Sequence, residues 1–98
     1  ALLGVFNDFD ALVAPTLLGE AVTLDTNLQT AFRGRGGYAV LGALCYVPCL
    51  SVPMGFGPLG LPLGLSITGN LYAENTLLQI GMNYQRETDW HTKRPPAA

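Results

Sequence analysis

Apolar residues along this chain are concentrated in short runs separated by glycine and proline. One run covers residues 11–14, and two more lie at 49–53 and 63–68. Runs of this length with few or no charged residues predict strands that are covered on both faces. Glycine and proline recur every few residues between the second and third runs, which indicates a shaped loop between strands and not a helix. We therefore predict three strands, near 11–14, 49–53 and 63–68.

Two further segments have the apolar spacing of a helix. Residues 73–88 show it clearly, whereas residues 37–45 show it more weakly because each interior glycine costs about 1 kcal/mol relative to alanine. The residues of the longer helix expected to share one apolar face are Leu77, Leu78, Gly81 and Tyr84. Together with the strands, these helices near 37–45 and 73–88 predict an α/β fold.

The composition limits the environments in which the predicted strands can lie. Of the 98 residues, 49% are hydrophobic and 12% are charged, about half the charged share of an ordinary soluble domain. The strands therefore belong either in a membrane or inside a larger protein body. Prolines and glycines at 48–64 interrupt the roughly 20-residue apolar helix that would span a bilayer. We predict no membrane span and strands buried by other protein.

The charge pattern argues against one class of partner. The formal net charge is −2, and the neighbouring basic residues Arg33 and Arg35, or Lys93 and Arg94, are too few to form a patch. Nucleic-acid binding normally requires a basic surface. We expect no nucleic-acid partner.

The residue types that carry chemistry do not assemble into a site in the sequence. Cys45 and Cys49, with the single histidine His91, fall short of the four ligands of a zinc site, and we interpret both cysteines as small apolar residues. Ser51 and Ser66 lie inside predicted buried strands without a base nearby in the sequence. The Gly-rich stretch leads into a strand, unlike a phosphate-binding loop. We predict no cofactor, no metal and no catalytic residue in this chain.

Four motifs together carry a family resemblance. They are D-A-L-V-A-P-T at 10–16, Y-x-V-L-x-x-L-x-x-V-P-C-L-S-V-P-M-G at 38–55, G-L-P-L-G-L-x-I-x-G at 60–69 and T-D-W-H-T-K-R-P at 88–95. In this order and spacing they resemble the C-terminal end of the amidase signature family, the serine amidohydrolases that cleave carboxamides. The resemblance covers residues 9–95, nearly the whole chain.

The resemblance implies an α/β/α enzyme with a large mixed sheet, to which this chain contributes several strands. The Ser–cis-Ser–Lys triad of the family belongs to sequence upstream of the matching region, so the chain alone is expected to be inactive. It would supply sheet scaffold and one wall of the substrate pocket, from the loop after Pro15 and the segment around residues 36–38. The pocket residues implied in this way are Thr16, Gly36 and Tyr38.

One departure from the family pattern bears on the substrate. The family's glutamine-handling amidotransferase subunits, which act on charged tRNA, carry an acidic residue two positions before the aromatic that matches Tyr38. This chain has Gly36 there. The departure favours a general or divergent amidase with an unknown amide substrate.

The resemblance also implies that residues 1–98 are the C-terminal fragment of a single amidase-type domain. We expect the N-terminus, which has neither a Met nor a basic leader, to lie in mid-chain. The expected partners are the N-terminal part of the same enzyme and a small-molecule amide, with a homodimer left open. We expect a cytoplasmic location, since the cysteine content suits a reducing compartment.

Two other interpretations stay open at this point. One is a non-catalytic, degenerate amidase-like interaction module, whose apolar faces would be exposed patches that bind a partner. The other is a small binding domain of unrelated fold, which would require the runs at 49–53 and 63–68 to lie outside one sheet.

Overall fold

Three strands form one antiparallel sheet in the order β1–β3–β2 in the computed structural model, which describes residues 2–30, 38 and 40–95. The strands are β1 (Ala11–Pro15), β2 (Cys49–Phe56) and β3 (Pro62–Gly69). The helices are α1 (Leu2–Val5), α2 (Leu41–Cys45) and α3 (Glu74–Glu87), and a short 3₁₀ helix follows at Trp90–Thr92.

The three predicted strands and the helix predicted near 73–88 are confirmed, and the α/β class with them. Strands β2 and β3 lie in one sheet, which argues against an unrelated fold. The helix predicted near 37–45 is observed over Leu41–Cys45, and its first predicted residue, Gly37, lies outside the described residues. The sequence did not predict α1 or the 3₁₀ helix.

Strand β2 continues past proline and glycine because a bulge accommodates both. The register shifts between Pro53 and Gly55, and Gly55 has a φ of +134°, which side chains with a Cβ rarely adopt. Pro53 lies in an edge strand, where its missing N–H removes no bond from the centre of the sheet. The strand therefore ends at Phe56, three residues later than predicted.

The core lies between α3 and one face of the sheet. Val52, Ile67 and Leu77 form it, with exposures of 6%, 1% and 2%. Helix α3 approaches the sheet closely because residue 81 is glycine: a Cβ there would lie 2.7 Å from Leu50 Cδ2. Full burial of one such apolar side chain contributes about 1.5–3 kcal/mol to stability.

The predicted apolar face of the longer helix is wrong at one position, Leu78. Leu77 is buried and Tyr84 is partly buried, but Leu78 is 51% exposed. Adjacent helical residues point about 100° apart, so the narrow contact made through Leu77 and Gly81 leaves Leu78 beside the sheet and not on it.

Many large apolar side chains in the described residues are exposed, so the expectation that the strands are covered on both faces is not met within this chain. Val13 of β1 is 59% exposed, and Leu24, Leu59 and Tyr72 are more exposed still. None of the described helices has the length and hydrophobicity needed to span a membrane.

The segment after α3 folds back onto the end of the β2–β3 hairpin. The Trp90 ring lies against Gly55, where a Cβ would be 3.7 Å from Trp90 Cζ2. It also meets Phe56 edge to face, with ring centroids 6.1 Å apart. Thr92 stabilises the 3₁₀ helix by donating its hydroxyl to the Asp89 carbonyl at 2.7 Å.

Candidate functional site

Small polar side chains line the sheet face opposite α3. Side chains alternate between the faces of a strand, so Leu50, Val52 and Ile67 point toward α3 while their neighbours point away. We call this surface the hydroxyl face; its residues are Thr16, Cys49, Ser51, Ser66 and Thr68.

Thr16 is fixed by three hydrogen bonds immediately after β1. Its N–H donates to the Gly64 carbonyl at 2.9 Å, and its carbonyl accepts the Tyr38 N–H at 3.1 Å. Its Oγ1 lies 2.9 Å from Ser51 Oγ. Thr16 and Tyr38, both predicted as pocket residues, are therefore adjacent, while the third, Gly36, lies outside the described residues.

Gly64 makes room for the Thr16–Ser51 pair. A Cβ at this position would lie 2.9 Å from Ser51 Oγ and 3.0 Å from Thr16 Oγ1. The central strand thus presents bare backbone between two hydroxyl groups, which allows another group to approach the sheet closely.

The other end of the hydroxyl face is organised around Cys49. Its Sγ lies 3.0 Å from Ser66 Oγ and accepts the Thr68 hydroxyl at 3.4 Å. Ser66 and Thr68 are 1% and 2% exposed, so these bonds satisfy buried polar groups. The interpretation of Cys49 as a small apolar residue is wrong, because its thiol is exposed and hydrogen-bonded; both Cys49 and the half-buried Cys45 are free thiols.

A cavity of about 180 Å³ lies beside Tyr38 on this face. Its lining residues are Leu12, Val13, Ala14, Tyr38, Leu41 and Thr68. Pockets that bind drug-sized ligands have volumes of about 300–1,000 Å³, so this cavity is smaller than such a pocket. Its size and mostly apolar lining suit a small apolar group.

Charge contributes little to this face. None of its five residues is acidic or basic, and the ion pair between Lys93 and Asp89, 3.2 Å apart, lies in the tail with both side chains largely exposed.

In the loop after β1, the Thr23 hydroxyl donates to Asp25 and lowers the pKa of that carboxyl from its ordinary value. Among residues 2–30, 38 and 40–95 there is no group of three or more metal-ligating His, Cys, Asp or Glu side chains.

Sequence reasoning missed the roles of Ser51 and Gly64. The sequence indicates only a strand hydroxyl at Ser51, and its partner proves to be Thr16, 35 residues away. The available signal is the alternation of C-L-S-V at 49–52 and S-I-T at 66–68, which separates polar from apolar positions. Alternation assigns faces within a strand, but which strands pair, and in which register, depends on the folded sheet.

The chain belongs to the amidase family. The family model described as Amidase matches residues 1–78, which confirms the resemblance inferred from the four motifs. The small antiparallel sheet with its helices is consistent with a piece of an α/β amidase-type fold.

Several relatives carry the name of the A subunit of glutamyl-tRNA(Gln) amidotransferase. The protein from Ralstonia nicotianae is 53% identical over 88 residues, which covers 87% of this chain and 17% of the relative. The Clostridium botulinum protein is 34% identical over 93 residues (93% of this chain, 19% of the relative). The Acinetobacter baumannii protein is 35% identical over 97 residues (98% and 20%).

The chain thus spans about a fifth of the length of the curated relatives it matches. No solved structure matches it.

Proposed function

We propose that this chain is the C-terminal part of an amidase-type hydrolase that cleaves carboxamide C–N bonds. Membership of the amidase family and the small share of each relative that the chain covers support the proposal. The reaction would use a Ser–Ser–Lys set located upstream: a serine oxygen bonds to the carbonyl carbon, the C–N bond breaks with loss of ammonia, and water then releases the acid.

The observation that carries the proposal is the arrangement of Thr16, Ser51, Gly64 and Tyr38 on one sheet face. Two hydroxyl groups flank bare backbone there, and the Tyr38 N–H donates to the carbonyl of Thr16 beside them. Hydroxyl groups both donate and accept hydrogen bonds, so this surface has the chemistry to hold an amide N–H or C=O. In the proposed enzyme it forms one wall of the substrate pocket.

The exposed apolar side chains support the N-terminal part of the same enzyme as the partner. Leu24, Leu59 and Tyr72 are largely exposed within this chain, and extensive apolar surface of this kind normally contacts other protein. In the proposed enzyme, the upstream part covers these side chains and brings the catalytic serine to the hydroxyl face.

A second candidate function follows from the names of the relatives. At 53% identity to the A subunit of the Ralstonia nicotianae glutamyl-tRNA(Gln) amidotransferase, the parent enzyme would be such a subunit, with glutamine as its amide and other subunits as its partners. Gly36 favours the general amidase, whereas identity to the relative favours the amidotransferase. The assay below therefore distinguishes the two by substrate.

The proposal is tested with the complete protein that carries residues 1–98. Ammonia release is measured from propionamide, benzamide and glutamine, the last with and without glutamyl-tRNA. Release from simple amides supports the general amidase, and release only from glutamine supports the amidotransferase. If the complete protein is folded, is assayed with the subunits that copurify and still releases no ammonia from any of them, both candidates are contradicted.

Variants then test the proposed pocket wall. T16V removes the hydroxyl at nearly constant size, and T76V does the same at an exposed position of α3. We expect T16V to raise KM about tenfold, the scale of one lost hydrogen bond in substrate binding, while T76V leaves it unchanged. Equal KM values for the two variants would contradict a role for Thr16 in the wall.

A further inference from the structure

The side chain of Glu20 joins the loop after β1 to the turn between β2 and β3. One carboxylate oxygen accepts the Leu59 N–H at 2.9 Å, and the other accepts the Leu61 N–H at 2.8 Å. Because a carboxylate is charged, such bonds are stronger than those between neutral groups. We call this pair of bonds the Glu20 clamp; it joins segments about 40 residues apart in sequence.

The turn is shaped so that these two N–H groups face Glu20. The Gly57 N–H donates to the Leu61 carbonyl at 2.9 Å, and the Gly60 N–H donates to the Gly57 carbonyl at 3.0 Å. Those bonds occupy the turn's own donors and leave the N–H groups of Leu59 and Leu61 to the carboxylate. The donors of the clamp are therefore built into the backbone of the turn.

Gly57 gives independent support for the clamp. A Cβ at residue 57 would overlap the Glu20 carboxyl group, in particular Oε1, Cδ and Cγ. Only glycine leaves the space that the carboxylate occupies. Glu20 and Gly57 thus act as one unit, and a change at either residue is expected to open the clamp.

The clamp fixes the far end of the loop that begins at Thr16. At the near end, Thr16 is held by its backbone bond to Gly64; at the far end, the side-chain bonds of Glu20 hold the loop to the hairpin turn. Between them, Leu17 and Leu18 line an apolar cavity of about 430 Å³ together with Met54, Pro58, Leu63 and their neighbours.

We propose that Glu20 is a positioning residue for the substrate-pocket wall. By holding the loop after Thr16 against the hairpin turn, Glu20 fixes the position of that wall. The inference rests on the proposed function, in which Thr16, where this loop begins, belongs to the pocket wall. Glu20 itself contacts no substrate and acts through the loop.

The test uses the complete protein and the amide that it hydrolyses fastest. E20Q keeps the shape of the side chain but places an NH₂ group against one of the two N–H donors, and G57A displaces the carboxylate from the other side. We expect each variant to raise KM about tenfold with kcat within about threefold, the pattern of lost ground-state positioning. The matched control E87Q, at the exposed end of α3, should leave both constants unchanged.

A double variant tests whether the two residues act as one unit. Because E20Q and G57A open the same clamp, the double variant E20Q/G57A should raise KM no more than the single variant with the larger effect. Independent effects on KM would instead multiply. A fall in melting temperature without a change in KM would show a purely structural role and overturn the proposal, as would multiplicative effects.

An inactive wild-type protein would refute the proposed function separately. Amide hydrogen exchange then decides whether the clamp exists: E20Q should speed exchange at Leu59 and Leu61 and across residues 17–20, with E87Q as control. Unchanged exchange at those amides would overturn the clamp, whatever the activity.

Discussion

Replacement of Gly64 by alanine tests the packing of the hydroxyl face directly. The new methyl group would stand 2.9 Å from Ser51 Oγ, 3.0 Å from Thr16 Oγ1 and 3.3 Å from Thr16 Cβ. Each distance is shorter than an ordinary van der Waals contact of about 3.5–4.0 Å. The Ser51 side chain can change its χ1 rotamer and move Oγ away, but the Cβ of Thr16 is held by the backbone hydrogen bonds on either side of it.

The expected loss of stability combines three effects. Overpacking costs about 1–3 kcal/mol, and loss of the Thr16–Ser51 hydrogen bond costs about 1 kcal/mol. Alanine also reduces the conformational entropy of the unfolded chain, which stabilises the folded protein by about 0.4–1 kcal/mol. Because the Ser51 side chain can change its χ1 rotamer once this bond is lost, we place overpacking at the low end and expect G64A to destabilise the protein by about 1–2 kcal/mol.

Urea unfolding followed by far-ultraviolet circular dichroism measures this change, with G4A as the control because nothing lies within 4 Å of a Cβ at residue 4. A double-mutant cycle with S51A isolates the contact: in the S51A background, G64A should cost about 1 kcal/mol less. A G64A protein as stable as G4A, or a cycle without coupling, would refute the packing argument.

Three further predictions follow from the core, the loop after β1 and the exposed apolar surface. L77A should destabilise the protein by about 2–5 kcal/mol in urea unfolding, whereas L78A, one residue along but 51% exposed, should cost far less; equal losses would contradict the placement of α3. The pKa of Asp25 should lie below its ordinary value in an NMR titration and rise in T23V, so any stability from this carboxylate is present above the unfolded pKa and lost as pH falls through the lowered one; an unchanged pKa in T23V would exclude the hydroxyl as the cause. Residues 1–98 produced alone should fold marginally, because large apolar side chains lie in solvent; a cooperative monomer with a high melting temperature in size-exclusion and thermal-melting experiments would contradict this.

The strands were predictable because their patterns are local. Apolar runs bounded by glycine and proline predict the strands near the observed positions, whereas the central place of β3, which pairs with both β1 and β2, is seen only in the folded sheet. The end of β2 was not predictable in the same way. Pro53 and Gly55 read as strand breakers, and only the pairing with β3 shows that a bulge keeps the strand intact to Phe56.

The candidate site was predictable only in part, because it is assembled from distant residues. Thr16 and Tyr38 entered through the family resemblance, and the structure joins them by one backbone hydrogen bond. Ser51 and Glu20 reach their partners across 35 or more residues. Such contacts depend on strand register and on the shape of one turn, neither of which leaves a local signal in the sequence.

The packing of Trp90 gives the molecule a built-in optical reporter. It is the single tryptophan of the sequence, and its indole lies against Gly55 and forms a T-shaped pair with Phe56. Release of the tail would move that indole into water and shift its emission to longer wavelength. Fluorescence can therefore follow detachment of the last segment separately from loss of the helix signal of α3.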